Sequence, residues 1–247
     1  MKNITKISLA LLSGLLIAAS WPTHGFTALI FIAFVPLIFL QDNSQQSTVN
    51  KKSNIFGLSF LTFLVWNSLT TWWVWNSTPA GSIAMILLNS TFMAATFWLY
   101  HFTRTKVFHN KGGFFLLILF FLAFEYLHLN WQLNWPWLNI GNVFSHNHSW
   151  VQWYEFTGTA GGTIWVLLAN ILAYKCLQTT VNRQQSLVPE PVEGKDKNLD
   201  TSTSSVTEKP HTLNSSIPQF LSISVSQYLS ISTPPLPRSG FHSDSRK

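Results

Sequence analysis

The sequence predicts an all-α membrane protein, a polytopic bundle of about six transmembrane helices followed by a disordered C-terminal tail. Only 10% of the 247 residues are charged and 47% are hydrophobic, whereas about 25% of an average soluble domain is charged. All 12 tryptophans and every long apolar run lie in residues 1–183. The remaining residues hold 7 of the 11 prolines and cannot bury a core.

The first two helices are predicted over residues 7–19 and 26–40. A cleaved signal peptide is the alternative for the first of them, because Lys2 and Lys6 precede a short apolar stretch. A second apolar run follows directly after the turn that Pro22 and Gly25 form, and this pattern favours a retained membrane hairpin.

Residues 53–103 contain no charged side chain. About 20 apolar residues cross a bilayer core, so this stretch accommodates two helices, predicted at 54–76 and 82–102 around a Pro79/Gly81 turn. A fifth helix is predicted at 114–129 and a sixth at 161–174.

The segment 130–160 has five tryptophans and no uninterrupted apolar run. Irregular backbone cannot face lipid, so we expect this segment at the membrane interface or in a cavity lined by protein.

The loops alternate between the two sides of the membrane, and one side receives all nine basic residues of the first 183. These residues are Lys2, Lys6, Lys51, Lys52, Arg104, Lys106, Lys111, Lys175 and Arg183. Because cytoplasmic loops carry an excess of Lys and Arg, the sequence predicts a cytoplasmic N-terminus and an outward-facing 130–160 segment. Basic clusters between apolar runs do not suit a nucleic-acid binder.

Glu125 is the only acidic residue inside an apolar helix. Such a group costs roughly 3 kcal/mol unless it is paired or hydrated. Two interpretations stay open, a functional carboxyl and a structural one that bonds a neighbouring helix. Beside it, Trp135 and Trp137 belong to a tryptophan-rich loop larger than membrane anchoring requires. We hypothesise that the three residues form a mouth for lipid acyl chains.

No metal or cofactor is expected. His146 and His148 lack further ligands at zinc-site spacing and are interpreted as interfacial polar residues. The single cysteine, Cys176, is interpreted as an inert filler. We expect Glu125 and Cys176 at opposite ends of their helices, roughly 30 Å apart, which is too far for a nucleophile and its base.

Several motifs in order resemble the apolipoprotein N-acyltransferases of bacterial inner membranes. Leu15–Phe26 is similar to their opening hairpin, and Gly57–Trp75 to their third helix. Glu125-Tyr126-Leu127 and Trp135-Pro136-Trp137-Leu138 resemble two short motifs, although His128 stands where the family usually has Arg. The resemblance extends through the Gly-rich entry to the helix that carries Asn170, and covers about residues 8–178.

The resemblance implies an inner-membrane protein that acts on phospholipid and lipoprotein substrates. In the family, a Glu-Lys-Cys triad in a nitrilase-like domain transfers an acyl chain from phospholipid to the N-terminal cysteine of a lipoprotein. No such domain follows here, so we assign no catalytic residue. We expect a membrane domain over 1–180, a low-complexity tail over 181–247, and a truncated chain that is inactive alone.

Three functions therefore compete. The first is an acyltransferase subunit whose catalysis comes from a separate nitrilase-like chain, as a split gene would produce. The second is a non-enzymatic remnant. The third is an unrelated membrane protein that binds lipid or partner helices, or a small transporter.

Overall fold

The computed structural model describes residues 3–22, 25–44, 54–109, 112–132 and 134–187. These residues form helices and no strands, which confirms the predicted all-α fold class. Of the predicted tail over residues 181–247, only residues 181–187 are among the described residues.

Within the described ranges, seven α-helices follow one another. They are α1 (Asn3–Ser20), α2 (Ile30–Ala33), α3 (Val35–Asn43), α4 (Ile55–Thr71), α5 (Pro79–Lys106), α6 (Phe115–Leu129) and α7 (Tyr154–Leu187). Short 3₁₀ helices at Thr27–Leu29 and Trp72–Asn76 extend α2 and α4, and three more lie between α6 and α7.

Four helices are long and apolar enough to cross a membrane: Asn3–Ser20, Ile55–Asn76, Pro79–Lys106 and Tyr154–Gln184. The segments Thr27–Asn43 and Phe115–Leu129 are apolar but shorter. The six predicted apolar helices are therefore present, and four of them meet the length needed for a span by themselves.

The bundle has two ends, which we name by composition. The basic end holds the ends of α3 and α5 (Asn43 and Lys106) and the start of α6 (Phe115). The aromatic end holds the end of α1 (Ser20), the 3₁₀ turn Trp72–Asn76, the end of α6 and the start of α7. Three neighbouring pairs pack in antiparallel fashion, α4 on α5, α5 on α6 and α6 on α7, whereas α1 packs on α4 in parallel.

Apolar side chains cover the outside of the bundle while polar ones are buried inside it. Leu15, Leu88 and Leu172 are about half exposed, whereas Asn67 and Asn170 are fully buried. A soluble helix bundle shows the opposite distribution, so the pattern indicates an outer surface that contacts lipid.

Buried polar groups hydrogen-bond between helices. The Thr62 hydroxyl donates to the Ala10 carbonyl at 2.9 Å, and the Ser13 hydroxyl donates to the Ala33 carbonyl at 2.6 Å. Such bonds and close packing of small residues hold membrane helices together where the hydrophobic effect does not.

The second apolar segment is broken, where the sequence predicts one continuous helix over 26–40. Pro36 has no N–H and its ring crowds the carbonyl four residues earlier, so α2 ends at Ala33 and α3 begins at Val35. The Asn170 side chain of α7 fills the break. Its amide donates to the Ile30 carbonyl at 2.7 Å, and its oxygen accepts from the Phe34 N–H at 2.8 Å.

The last helix is longer than predicted at both ends. It begins at Tyr154 rather than near residue 161, with a kink at Gly158, where φ is 61°. It continues to Leu187 rather than ending at Lys175, because no proline or glycine interrupts the chain before Pro189. Residues 181–187, which the composition assigned to the tail, are therefore helical.

Arg104 is buried at the basic end, although its place in a basic loop predicts exposure. Its guanidinium pairs with Asp42 at 2.8 Å and donates to the Gly112 carbonyl at 2.9 Å. The Tyr174 hydroxyl donates to the other Asp42 oxygen at 2.6 Å. This network joins the ends of α3 and α5 to α7, so Arg104 contributes to packing as well as to the charge of this end.

Replacing Asn170 by alanine is expected to lower the free energy of unfolding by about 1–3 kcal/mol, because buried backbone groups lose their partner. Thermal unfolding in detergent measures the change. Asn130→Ala is the control, since that exposed side chain bonds only the Tyr126 carbonyl of its own helix. Equal losses in the two variants would contradict the role assigned to Asn170.

Candidate functional site

Glu125 lies near the aromatic end of α6 with only 4% of its surface exposed. Its Oε1 accepts the Ile140 N–H at 2.7 Å, and its Oε2 accepts the Thr163 hydroxyl at 2.8 Å. These partners belong to the loop after α6 and to α7. The carboxyl therefore joins three parts of the chain through direct bonds.

Thr163 extends this contact into a network. While its hydroxyl donates to Glu125, its oxygen accepts the Gly141 N–H at 3.1 Å. The Tyr154 hydroxyl donates to the Gly141 carbonyl at 2.8 Å. The loop at residues 140–141 is thus fixed by one side chain from α6 and two from α7.

Gly141 is required where it stands. A Cβ on this residue would overlap the Thr159 carbonyl of α7, and a Cβ added to Gly162 would lie 3.0 Å from the Gly141 Cα. Because the loop backbone touches the helix backbone, only glycine fits without a shift. The Gly-rich start of α7 therefore serves close packing against the loop.

Trp135 and Trp137 lie on either side of Pro136, which begins a 3₁₀ turn at Pro136–Leu138. Their ring centroids are 6.3 Å apart, and Trp137 meets Trp73 edge to face at 6.0 Å. Trp137 is 58% exposed, whereas Trp135 is half-buried. The loop and the end of α4 thus present neighbouring aromatic rings.

A cavity of about 460 Å³ opens at the aromatic end beside these rings. Its lining combines apolar and aromatic residues with polar ones: Trp21, Pro22, Trp73, Trp137 and Leu138, and Thr70, Thr71, Asn142, Ser145 and His146. Of the three predicted site residues, only Trp137 lines this cavity. Trp135 contacts Trp137, and Glu125 holds the backbone that follows Leu138.

The other candidate groups are dispersed. Cys176 is exposed on α7 beyond Tyr174, near the basic end, so it lies far along the bundle from Glu125. Among the described residues, no group of three or more His, Cys, Asp or Glu is placed to hold a metal ion. His128 is buried and stacks on Phe124 with centroids 5.1 Å apart.

The sequence did not single out Thr163, Trp21 or Trp73 as members of this region. Thr163 follows Gly161 and Gly162, and this small-residue entry to a helix is a signal for close backbone approach. Trp21 and Trp73 carry no such signal, since a cavity shared by residues 50 or more positions apart leaves no local pattern.

Glu125→Ala is expected to lower the free energy of unfolding by about 1–3 kcal/mol, because the Ile140 N–H and the Thr163 hydroxyl lose their acceptor. Glu125→Gln keeps one acceptor oxygen and should lose less. Hydrogen–deuterium exchange should rise at residues 139–146 in the alanine variant. Glu155→Ala, at an exposed site on α7, is the control. Unchanged exchange in Glu125→Ala would disprove the role of the carboxyl.

Comparisons with known proteins agree with this architecture. A family model described as the apolipoprotein N-acyltransferase N-terminal domain matches residues 13–172. The apolipoprotein N-acyltransferase of Chlorobaculum tepidum is 28% identical over 171 residues, which cover 66% of this chain and 30% of that protein. The chain thus spans less than a third of that relative's length. No solved structure matches significantly. Since the family model covers more than half of the sequence, the chain belongs to the apolipoprotein N-acyltransferase N-terminal domain family.

Proposed function

We propose that this chain is the membrane domain of an apolipoprotein N-acyltransferase of the bacterial inner membrane. The overall reaction would move an acyl chain from a phospholipid to the N-terminal cysteine of a lipoprotein, a step in lipoprotein maturation. The observation that carries the proposal is the match over residues 13–172, on a bundle whose outer surface is apolar.

We propose further that the chain does not catalyse the transfer alone. Acyl transfer through a covalent intermediate needs an activated nucleophile beside a base. The one cysteine of the sequence, Cys176, lies near the basic end, while Glu125 lies near the aromatic end with both oxygens bonded. In this proposal the thiol is supplied by a nitrilase-type domain of a separate chain.

The role of this domain is then to hold lipid at the aromatic end. Trp137 and the neighbouring Trp135 form an apolar mouth that suits acyl chains, because rigid aromatic rings offer a large contact area. Glu125 acts in this mouth through the loop, since it bonds Ile140 two residues after Leu138. In this proposal Glu125, Trp135 and Trp137 belong to one lipid site, although only Trp137 lines the cavity.

The proposed orientation places the basic end in the cytoplasm and the aromatic end outside. The basic side chains of the described ends, such as Lys106 and Lys175, support it through the excess of positive charge that cytoplasmic loops carry. We propose a membrane domain over residues 1–180, which contains the family match at 13–172, followed by a low-complexity tail over 181–247 whose first residues, as far as Leu187, continue α7.

Complementation tests the function. In a bacterium depleted of its own N-acyltransferase, this chain alone is expected to leave lipoproteins diacylated, since no nucleophile accompanies it. Co-expression with a nitrilase-type domain is expected to restore triacylated lipoprotein, which mass spectrometry of the lipoprotein N-terminus detects.

Two results would contradict the proposal. Triacylation by the chain alone would show that it is catalytically complete. Absence of both triacylation and co-purification with any nitrilase-type domain would favour the non-enzymatic alternative, a membrane protein that binds lipid without turning it over.

Cysteine labelling tests the orientation. In a Cys176→Ser background, Ser149→Cys at the aromatic end should react with a membrane-impermeant maleimide in intact spheroplasts. Asn182→Cys at the basic end should react only after the membrane is disrupted. Both positions are exposed in the structure, so access to them depends on the membrane. The reverse pattern would invert the proposed topology.

A further inference from the structure

Two neighbouring helices on the outside of the bundle differ greatly in length. α5 has 28 residues and is about 42 Å long, whereas α6 has 15 residues and is about 22 Å long. The hydrocarbon core of a bilayer is about 30 Å thick. α5 therefore exceeds the thickness of that core, and α6 falls short of it by roughly 8 Å.

The missing length of α6 lies at the aromatic end. At the basic end, the Arg104 side chain of α5 bonds the Gly112 carbonyl, just before α6 begins. At the other end, Trp131 is the second residue after α6, and its ring lies 5.3 Å from that of Phe92 on α5. From Phe92, α5 extends 13 residues further to Pro79, a length of about 20 Å. The aromatic end of the bundle is therefore much lower beside α6 than beside α5.

The exposed apolar side chains of the two helices show the same difference. Those of α5 extend from Phe102 to Ile83, about 29 Å, and those of α6 extend from Phe115 to Leu129, about 21 Å. Irregular backbone with polar side chains cannot face hydrocarbon, so the apolar surface of α6 ends where the loop after it begins. Exposed polar residues of that loop are Asn130, Gln132 and Asn134.

Exposed tryptophans lie at two different heights. Beside the start of α5, Trp72 and Trp75 line a cavity together with Ser82. Beside α6, Trp131 contacts Phe92, which is ten residues further along α5 than Ser82. Tryptophan is enriched at the boundary between hydrocarbon and headgroups. The rings therefore indicate a boundary that lies nearer the basic end on the α6 side.

A second short segment lies on the other side of α7. The apolar run 26–40 has only 15 residues, and α2, α3 and α6 all pack against α7. Asp42, at the end of α3, pairs with Arg104 at 2.8 Å, so this segment begins at the same basic-end level as α6. We call α6 together with the α2–α3 segment the short flank.

The outer surface of α6 suits lipid better than another helix. Interfaces between membrane helices favour small side chains that let the backbones approach closely. The exposed stripe of α6 instead carries large ones at helical spacing. They are Phe115, Leu119, Tyr126, Leu127 and Leu129.

We infer that the short flank thins the bilayer, so that the leaflet at the aromatic end lies lower beside α6 and α2–α3 than beside α5. A bilayer accommodates a hydrophobic segment shorter than its core by local thinning. The partner of this surface is thus a lipid surface of reduced thickness. Headgroups and water then lie level with the loop after α6 and hydrate its polar side chains.

Spin labels on the full chain in dioleoylphosphatidylcholine vesicles test the inference. In a Cys176→Ser background, a nitroxide is attached at Leu129→Cys on α6 or at Leu88→Cys on α5. Both leucines are exposed, and they lie 17 and 16 residues from Gly112 and Arg104, which are bonded to each other. A flat bilayer would therefore immerse the two labels equally. We expect the α6 label to lie about 7 Å shallower, the length over which exposed apolar α5 continues.

Depth is measured by the relative accessibility of the label to oxygen and to a water-soluble nickel complex. Labels at Phe115→Cys and Phe102→Cys, near the basic end, should lie at equal depth because the thinning is confined to the aromatic end. The difference between the Leu129 and Leu88 labels should disappear in thin dimyristoleoyl vesicles, which already match α6, and persist in thick dierucoyl vesicles. Asn130→Cys repeats the measurement if Leu129→Cys does not fold.

Three results would overturn the inference. Equal depths of the Leu129 and Leu88 labels in dioleoyl vesicles would show that the bilayer is flat around the protein. A Phe115 label that lies deeper by as much as the Leu129 label lies shallower would assign the difference to a tilt of the whole bundle. Low accessibility of the Leu129 label to both oxygen and nickel would show that a second copy of the chain, not lipid, covers this surface.

Discussion

The Glu125 carboxyl, bonded to the Ile140 N–H and the Thr163 hydroxyl, is the interaction on which the aromatic end depends. The loop between α6 and α7 has little regular structure, so its backbone groups need partners from outside the loop. One side chain near the end of a membrane helix accepts the Ile140 N–H and also the hydroxyl of Thr163, whose oxygen accepts the next loop N–H at Gly141. The cavity walls at Trp137, Leu138 and Asn142 flank the residue that this carboxyl holds. A buried acidic group thus determines the shape of a site that it does not touch.

The same requirement explains polar residues elsewhere in the bundle. In hydrocarbon an unbonded polar group costs several kcal/mol, and each buried one described above has a specific task. Thr62 and Ser13 form hydrogen bonds between helices, and Asn170 bonds the free backbone groups at the break between α2 and α3. Arg104 connects the ends of α5 and α3 at the basic end through its ion pair with Asp42. A buried ion pair adds little net stability over an apolar pair of the same size. Its contribution is to define which helix ends meet, because losing one partner leaves a buried charge.

Much of this fold could be predicted from composition, and much of the site could not. Runs of apolar residues separated by Pro, Gly and basic residues gave five helical segments within about four residues of their bounds and the sixth too short at both ends. Ordered motifs gave the family. The sequence analysis did not predict the helix break at Phe34, although Pro36 signals one. Proline is tolerated in membrane helices when a neighbouring group bonds the backbone groups that it frees. Here that group is the side chain of Asn170, 136 residues away from Phe34 in the sequence. Similarly, Glu125 left two interpretations open because its partners are a backbone N–H and a threonine, which have no sequence signature. The high density of tryptophans in the loop singled out Trp135 and Trp137. Which of the two lines the cavity depends on the direction of the 3₁₀ turn between them.

The repair of the α2–α3 break by Asn170 has a consequence for the order of assembly. The chain is synthesised from its N-terminus, so the second apolar segment enters the membrane long before α7 exists. Until then the Ile30 carbonyl and the Phe34 N–H must bond each other or water, and the segment has no fixed bend. Docking of the last helix supplies both missing partners at once. The bend between α2 and α3 is therefore fixed only when α7 docks, although α2 and α3 are synthesised first.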